Sequence, residues 1–189
     1  VWSVVIDIGR VHRGFNGEVD HLWPMIENKI LENRRPTYFT GHSLGGAMAQ
    51  VCAVRCKRSP IFTNPHAVFT FGSPRVGNGK YIRNASLSHY RWVNNNDIVS
   101  RLPPRWMGYK HSGIELYLDH CGRLRRIYSL IRSKDRMLGM WKGLRQWKLD
   151  FLVDHSMVQY ILAIRGLVKE YRQGVRFPDP KMTLPTLPA

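Results

Sequence analysis

Acidic residues are scarce in this chain of 189 residues: 13 Asp and Glu face 29 Lys and Arg, for a formal net charge of +16. A field of that sign attracts polyanions, either anionic lipid surfaces or nucleic acid, or else serves as a solubilising cationic surface. No helix-turn-helix, zinc-finger or RNA-binding signature supports the nucleic-acid option, so no specific nucleic-acid partner is expected. Cysteine is equally sparse. Cys52, Cys56 and Cys121 make an odd count, which argues against a disulfide framework, and they show no metal-ligand spacing. They read as small buried residues in a reducing compartment. Long hydrophobic runs are also lacking. Val1 to Ile8 is too short to cross a bilayer and lacks the flanks of a signal peptide. A Gly-x-Gly-x-x-Gly fingerprint is absent, as is an acidic residue at the right distance after a second strand, which excludes a dinucleotide site. There is no internal repeat.

What is present is room for one domain with a sizeable core, at 43% apolar content. That domain is expected over 1–174, with a basic insertion at about 123–148 and a Pro-rich tail over 175–189. The chain opens with Val1 inside an apolar pattern, so an upstream part is expected to precede it. The stretch around which it is organised is Thr40-Gly41-His42-Ser43-Leu44-Gly45-Gly46, between a β-type run (Pro36 to Phe39) and a helix-type run (Ala47 to Cys56). A strand, a tight turn and a helix with serine at the apex is the layout of a nucleophile elbow. The sharp turn forces the serine into sparsely allowed backbone space, where the residues two before and two after, Gly41 and Gly45, are expected to have to be tiny. The Leu44 amide, at the start of the helix, points where an oxyanion would form. Gly46 and Ala47 let the helix approach the sheet.

Along the chain, residues 1 to 10 form an extended or amphipathic lead-in. Val19, Leu22, Trp23, Ile26 and Ile30 follow at helical spacing, with Pro24 kinking or starting the helix. Strand runs are predicted over Ala67 to Phe71, Tyr90 to Val93 and Ile114 to Leu118, and a helix after Asp154-His155 through Val158, Ile161, Leu162, Ile164 and Leu167. Strands alternating with helices predict an α/β fold with a largely parallel sheet and a site on the loops at the carboxyl ends of strands. Between Arg123 and Lys148, nine Lys and Arg interleave with Leu, Ile, Met and Trp, and Asp135 is the one acid. This reads either as a basic amphipathic helix pair on an anionic membrane, with Arg125, Arg126, Arg132 and Arg136 as candidate lipid contacts, or as an insertion with a solvated basic face.

In a hydrolase with this elbow, an acid and then a histidine follow the serine in chain order. Asp97 sits in a polar loop after a strand, where a carboxylate can orient an imidazole. Asp119, its rival, reads as a solvated turn residue. Two histidines remain open as the base: His155, at a loop-to-helix junction, and His111. His12 and His42 read as structural.

The runs Val11-His12-Arg13-Gly14-Phe15, Thr40 to Ala47, Thr70-Phe71-Gly72-Ser73-Pro74-Arg75-Val76-Gly77-Asn78, Asn96-Asp97-Ile98-Val99, Tyr109-Lys110-His111-Ser112-Gly113 and Asp154-His155 resemble, in order, the motifs of the class 3 (fungal-type) lipases. The resemblance implies an α/β-hydrolase fold, its mostly parallel central sheet flanked by helices, with N-terminal strands preceding this chain. It implies hydrolysis of carboxylic esters, usually acylglycerols or phospholipids, without metal or organic cofactor. It places the nucleophile on Ser43, the acid on Asp97 and the base on His155, and reads His111 as structural. One oxyanion donor is the Leu44 backbone N–H, and the second is expected upstream of Val1. Val1 to Ile8, with Trp2, is then expected to be the remnant of a lid helix. The expected activity is a serine-dependent lipid esterase working through an acyl-enzyme. A small-ester or feruloyl esterase is one alternative, and an inactive truncated hydrolase scaffold acting as a basic membrane-binding module is another.

Overall fold

The computed structural model describes residues 3–32, 35–59, 65–125 and 153–175. The chain divides into two compact units, the first comprising 1–91 with 99–115 and the second 92–98 with 116–189.

The first unit opens with an antiparallel hairpin, β1 (Ser3–Ile6) and β2 (Gly9–His12), with Ile6 opposite Gly9 and Ser3 opposite His12. The expected lid-helix remnant is therefore corrected, since four residues of the lead-in pair as a strand. The turn needs its glycine: Gly9 has φ +144°, and a Cβ there would lie 2.4 Å from the Tyr81 amide nitrogen. A small sheet continues from β2 through β5 (Gly77–Asn78) to β7 (Tyr109–Lys110), all antiparallel.

Helix α1 (Arg13–Leu31) follows β2 directly, and Pro24 lies within it rather than starting it. Phe15, Val19, Trp23 and Ile26, spaced three or four apart, pack on the core, whereas Leu22 is exposed. The core they meet is built on α2 (Ser43–Arg58), whose Ala47, Val51, Cys52 and Val54 are buried together with Val11, Val76 and Tyr81. Burial pushes the Cys52 thiol up to about 11 and raises that of Cys56. Cys121 departs from the expectation of burial, because it lies exposed in a turn.

Strand β3 (Tyr38–His42), α2 and β4 (Ala67–Phe71) form a βαβ unit, β3 and β4 pairing in parallel from Tyr38 opposite Ala67 to His42 opposite Phe71. Strand β3 begins two residues later than the sequence predicts and runs up to the serine, while α2 starts at the serine itself. A third helix, α3 (Gly79–Ala85), is capped by the Asn78 side chain, which accepts from the Tyr81 amide at 2.9 Å. Strand β6 (His89–Asn94) and β8 (Ile114–Leu118) start in this unit and end in the second.

In the second unit β8 turns back into β9 (Leu124–Arg125), Leu118 opposite Leu124. Helix α4 (Met157–Arg172) follows the Asp154-His155 pair. Its predicted apolar face is corrected in part: Leu167 is buried as expected, but Val158, Ile161 and Leu162 are exposed, and the other buried residue is Tyr160, seven residues before Leu167 on the same face. Most of the basic segment, 126–148, lies outside the described residues.

Candidate active site

The nucleophile position is set by backbone geometry. His42 ends β3 in extended conformation, and Ser43 then takes φ +56°, in the left-handed region that a residue with a Cβ avoids. Such a residue costs about 1–3 kcal/mol and persists only where its surroundings impose it. The reversal brings the end of β3 against the first turn of α2. A Cβ on Gly41 would lie 2.3 Å from the Gly45 carbonyl oxygen, and one on Gly46 would lie 2.8 Å from Ser73 Cβ. At Gly45 the expectation is corrected, since a Cβ there meets nothing within 4 Å. The steric demand therefore falls on Gly41 and Gly46. Because the first amides of a helix have no intrahelical acceptor, the Leu44 N–H at the head of α2 is a donor suited to an anion.

The residues expected as acid and base, Asp97 and His155, come together within the second unit. Asp97 is fully buried in the loop after β6, and both of its carboxylate oxygens lie 3.0 Å from His155 Nδ1. An ionised carboxylate only accepts, so Nδ1 carries the proton and Nε2 offers its lone pair, the tautomer a general base requires. The His155 side chain is 16% exposed, whereas its partner is fully buried.

Two residues to which the sequence reading gave no role, Tyr160 and Asp154, hold this pair. Tyr160 Oη donates to Asp97 Oδ2 at 2.7 Å and accepts from the Asn94 amide at 2.9 Å. Its phenol is fully buried, and burial together with the Asp97 charge raises its pKa. Asp154 braces the loop from the other side: Oδ2 accepts from Asn95 Nδ2 at 3.1 Å and the Asn96 amide at 3.0 Å, and its carbonyl accepts from Asn94 Nδ2 at 3.0 Å. Asn95, at φ +33°, is where the loop turns. A tyrosine inside an apolar-patterned helix was the available signal.

The rivals are engaged elsewhere. His111 Nε2–H donates to the Ser100 carbonyl at 2.7 Å, and burial with the Arg91 and Arg75 charges pulls its pKa down to about 2. His12 stacks on Phe15 with centroids 4.1 Å apart, and burial lowers its pKa. Asp119 does close a turn, but it is buried rather than solvated: it accepts from the Cys121 and Arg123 amides at 2.9 and 3.0 Å and pairs with Arg125 Nε at 2.8 Å. Burial alone would raise its pKa, yet these donors hold it below the usual carboxylate value. Arg125, expected among the lipid contacts, is thus committed to Asp119 through one face of its guanidinium. Arg126, Arg132 and Arg136 lie outside the described residues. Among the described residues no cluster of His, Cys, Asp and Glu could hold a metal ion, and no helix is long and apolar enough to cross a membrane.

The family model for lipase (class 3) matches residues 3–107, more than half of the chain and including the elbow and the acid loop. The chain belongs to the class 3 lipase family. Among similar proteins is the secreted mono- and diacylglycerol lipase 1 of Fusarium solani, 34% identical over 132 residues, or 66% of this chain and 38% of that protein. The solved triacylglyceride lipase of Rhizomucor miehei aligns with a TM-score of 0.57 at 28% identity, over 61% of this chain and 49% of its own. A triacylglycerol lipase whose catalytic centre is described as a serine-protease triad aligns with a TM-score of 0.55 at 29% identity, again over 61% and 49%. The chain spans less than half the length of these relatives. It has the α/β-hydrolase fold of these class 3 lipases, with a mostly parallel sheet flanked by helices.

Proposed function

We propose that this class 3 lipase hydrolyses carboxylic ester bonds in lipids, acylglycerol or phospholipid, through an acyl-enzyme on Ser43. The observation that carries the reading is a fully buried carboxylate, Asp97, with both oxygens 3.0 Å from Nδ1 of a partly exposed histidine, His155. The left-handed serine between β3 and α2 and the likeness to lipases named for acylglycerols lend it further support.

In this reading His155 Nε2 takes the Ser43 hydroxyl proton as Oγ attacks the ester carbonyl carbon. The carbonyl electrons move to oxygen, and the Leu44 N–H stabilises the oxyanion. Collapse expels the alcohol, which leaves with the proton held on His155. Water, deprotonated by the same Nε2, attacks the acyl-enzyme, and the fatty acid departs as Ser43 recovers its proton. Asp97 keeps the ring oriented and stabilises the imidazolium without itself taking the proton.

The test is hydrolysis of short- and long-chain p-nitrophenyl esters by the chain and by its Ser43→Ala and His155→Ala variants. Each variant is expected to lose on the order of 10⁴-fold or more of kcat. Faster hydrolysis of long than of short chains would support lipid esters over small soluble ones. A wild-type rate no higher than that of Ser43→Ala overturns the reading.

A further inference from the structure

Trp106 is 84% exposed, the most exposed of the large apolar side chains described. Exposed apolar residues occurring singly are ordinary, but three features set this one apart. The first is rigidity. Trp106 sits on a short 3₁₀ turn (Arg105–Met107) closed by the Met107 amide to the Pro104 carbonyl at 3.1 Å and the Gly108 amide to the Arg105 carbonyl at 2.9 Å, with Gly108 at φ +85°. The segment leading into it is anchored from below by buried Arg75, whose guanidinium donates to the Arg101 and Pro103 carbonyls and whose amide donates to the Leu102 carbonyl. An indole held out on a fixed base loses little freedom when something covers it.

The second feature is company. Leu102, on the same segment, is 45% exposed. Arg105 is exposed beside the indole, and Lys110 is exposed at the end of the β7 strand that the turn enters. Across from Lys110 lies α3: Arg83 Nη1 and Lys110 Cδ come within 3.3 and 3.5 Å of the point a Cβ on Gly79 would occupy, and Lys80 is exposed next to it.

The third feature is the lack of acids. Between Arg75 and Glu115 the two acidic residues are Asp97 and Glu115, and these are held by His155 and Arg91. Among the described residues, Lys80, Arg83, Arg105 and Lys110 form no ion pair. An amphipathic indole with an adjoining set of uncompensated cations matches the boundary between hydrocarbon and anionic headgroups, where the ring is stable half-immersed and each cation is attracted to the negative surface.

We propose that the Trp106 turn and the Lys80–Arg83–Lys110 face form an anchor for an anionic lipid bilayer, Trp106 and Leu102 entering the headgroup layer while Arg105 and the three other cations meet its phosphates. None of its residues belongs to the basic segment of the sequence at 123–148. It deepens the lipid-ester reading, on which it rests only for what the docked chain does at the bilayer.

Binding is tested in the Ser43→Ala protein, by co-sedimentation with vesicles of phosphatidylcholine alone and of phosphatidylcholine mixed with phosphatidylglycerol. The expected result is binding to the mixed vesicles that weakens with salt. Trp106→Ala is expected to lower the partition coefficient at least about fivefold, with Trp106→Phe retaining most of it. Arg105→Gln and Lys110→Gln are each expected to lower it about fivefold. Unchanged partition of Trp106→Ala overturns the anchor, as does RNA binding that the Gln variants lose while vesicle binding persists. Because no catalysis enters the measurement, a failed anchor leaves the ester-hydrolase reading standing, and a silent p-nitrophenyl assay leaves the anchor standing.

Discussion

At the scale of single residues, Tyr160 is the most informative side chain in the second unit. A carboxylate that is 0% exposed needs donors, and the phenol supplies one at 2.7 Å while satisfying the Asn94 amide at 2.9 Å. Tyr160→Phe keeps the ring and removes both bonds. The buried Asn94 N–H then lacks its acceptor, which is expected to lower the stability of the unit by about 1–3 kcal/mol in a urea titration. The effect on chemistry is separable from that loss. With one donor to Oδ2 gone, the carboxylate holds the His155 ring less firmly, so kcat per active site is expected to fall several-fold while KM stays level. A purely structural role would lower the number of active sites without changing kcat per titrated site, so an unchanged kcat per site sinks the positioning role. Tyr160 escaped the sequence reading because its signal, an aromatic within a helical apolar pattern, is that of any core residue. His155 was visible only because a motif stood around it, and on the residues alone it shared candidacy with His111. What separates the two is a hydrogen-bond partner: a carbonyl for His111 Nε2, a carboxylate for His155 Nδ1.

At the scale of elements, the elbow was legible because its demand is local. A strand, a left-handed serine and a helix in immediate succession leave a mark in consecutive residues. The two glycines nevertheless differ in a way that spacing does not reveal. A Cβ at Gly41 runs into the backbone of the following helix, whereas at Gly45 it points into open space. Gly41→Ala is therefore expected to cost more than about 3 kcal/mol or prevent folding, since backbone rather than a flexible side chain must move. Gly45→Ala, in the first turn of α2, is expected to leave stability unchanged or raise it by up to about 1 kcal/mol through helix propensity. Thermal unfolding of the two variants side by side checks this, and equal losses would contradict the geometry. The βαβ unit and β8 were similarly legible from run length and alternation. The β1–β2 hairpin was not, because an apolar lead-in without a turn dipeptide reads equally as helix or strand. The exposed face of α4 misled for a related reason: Val158, Ile161 and Leu162 have helical spacing, but the burial of the helix is decided by the phenol that must reach Asp97.

At the scale of the whole molecule, acidification acts through buried neutral histidines before it acts through carboxylates. His89 is buried with Nε2 against the Thr70 hydroxyl at 2.9 Å and Nδ1 against the Ser112 hydroxyl at 2.6 Å, and burial with the Arg91 charge holds its pKa down to about 3. His111 is held down to about 2 by burial, Arg91 and Arg75. In the unfolded chain both titrate near 6.5. Below that value the unfolded state binds protons that the folded state refuses, so stability falls as pH falls, at up to about 1.4 kcal/mol per pH unit for each histidine. Above it both states are neutral and the dependence vanishes. Asp119, whose pKa is lowered, contributes stability that is lost only at still lower pH, so it does not account for a loss beginning near neutrality. The expected outcome is a melting temperature that is level above about pH 7 and declines steadily toward about pH 4. General repulsion works in the same direction, because a chain already at +16 becomes still more positive on acidification. Salt separates the two contributions. Repulsion among surface charges is screened within about 10 Å at 0.1 M salt, whereas the cost of charging a buried ring is not. A decline that persists at high ionic strength and becomes shallower in a folded His111→Gln variant assigns it to the buried histidines, and one that salt abolishes assigns it to the net charge.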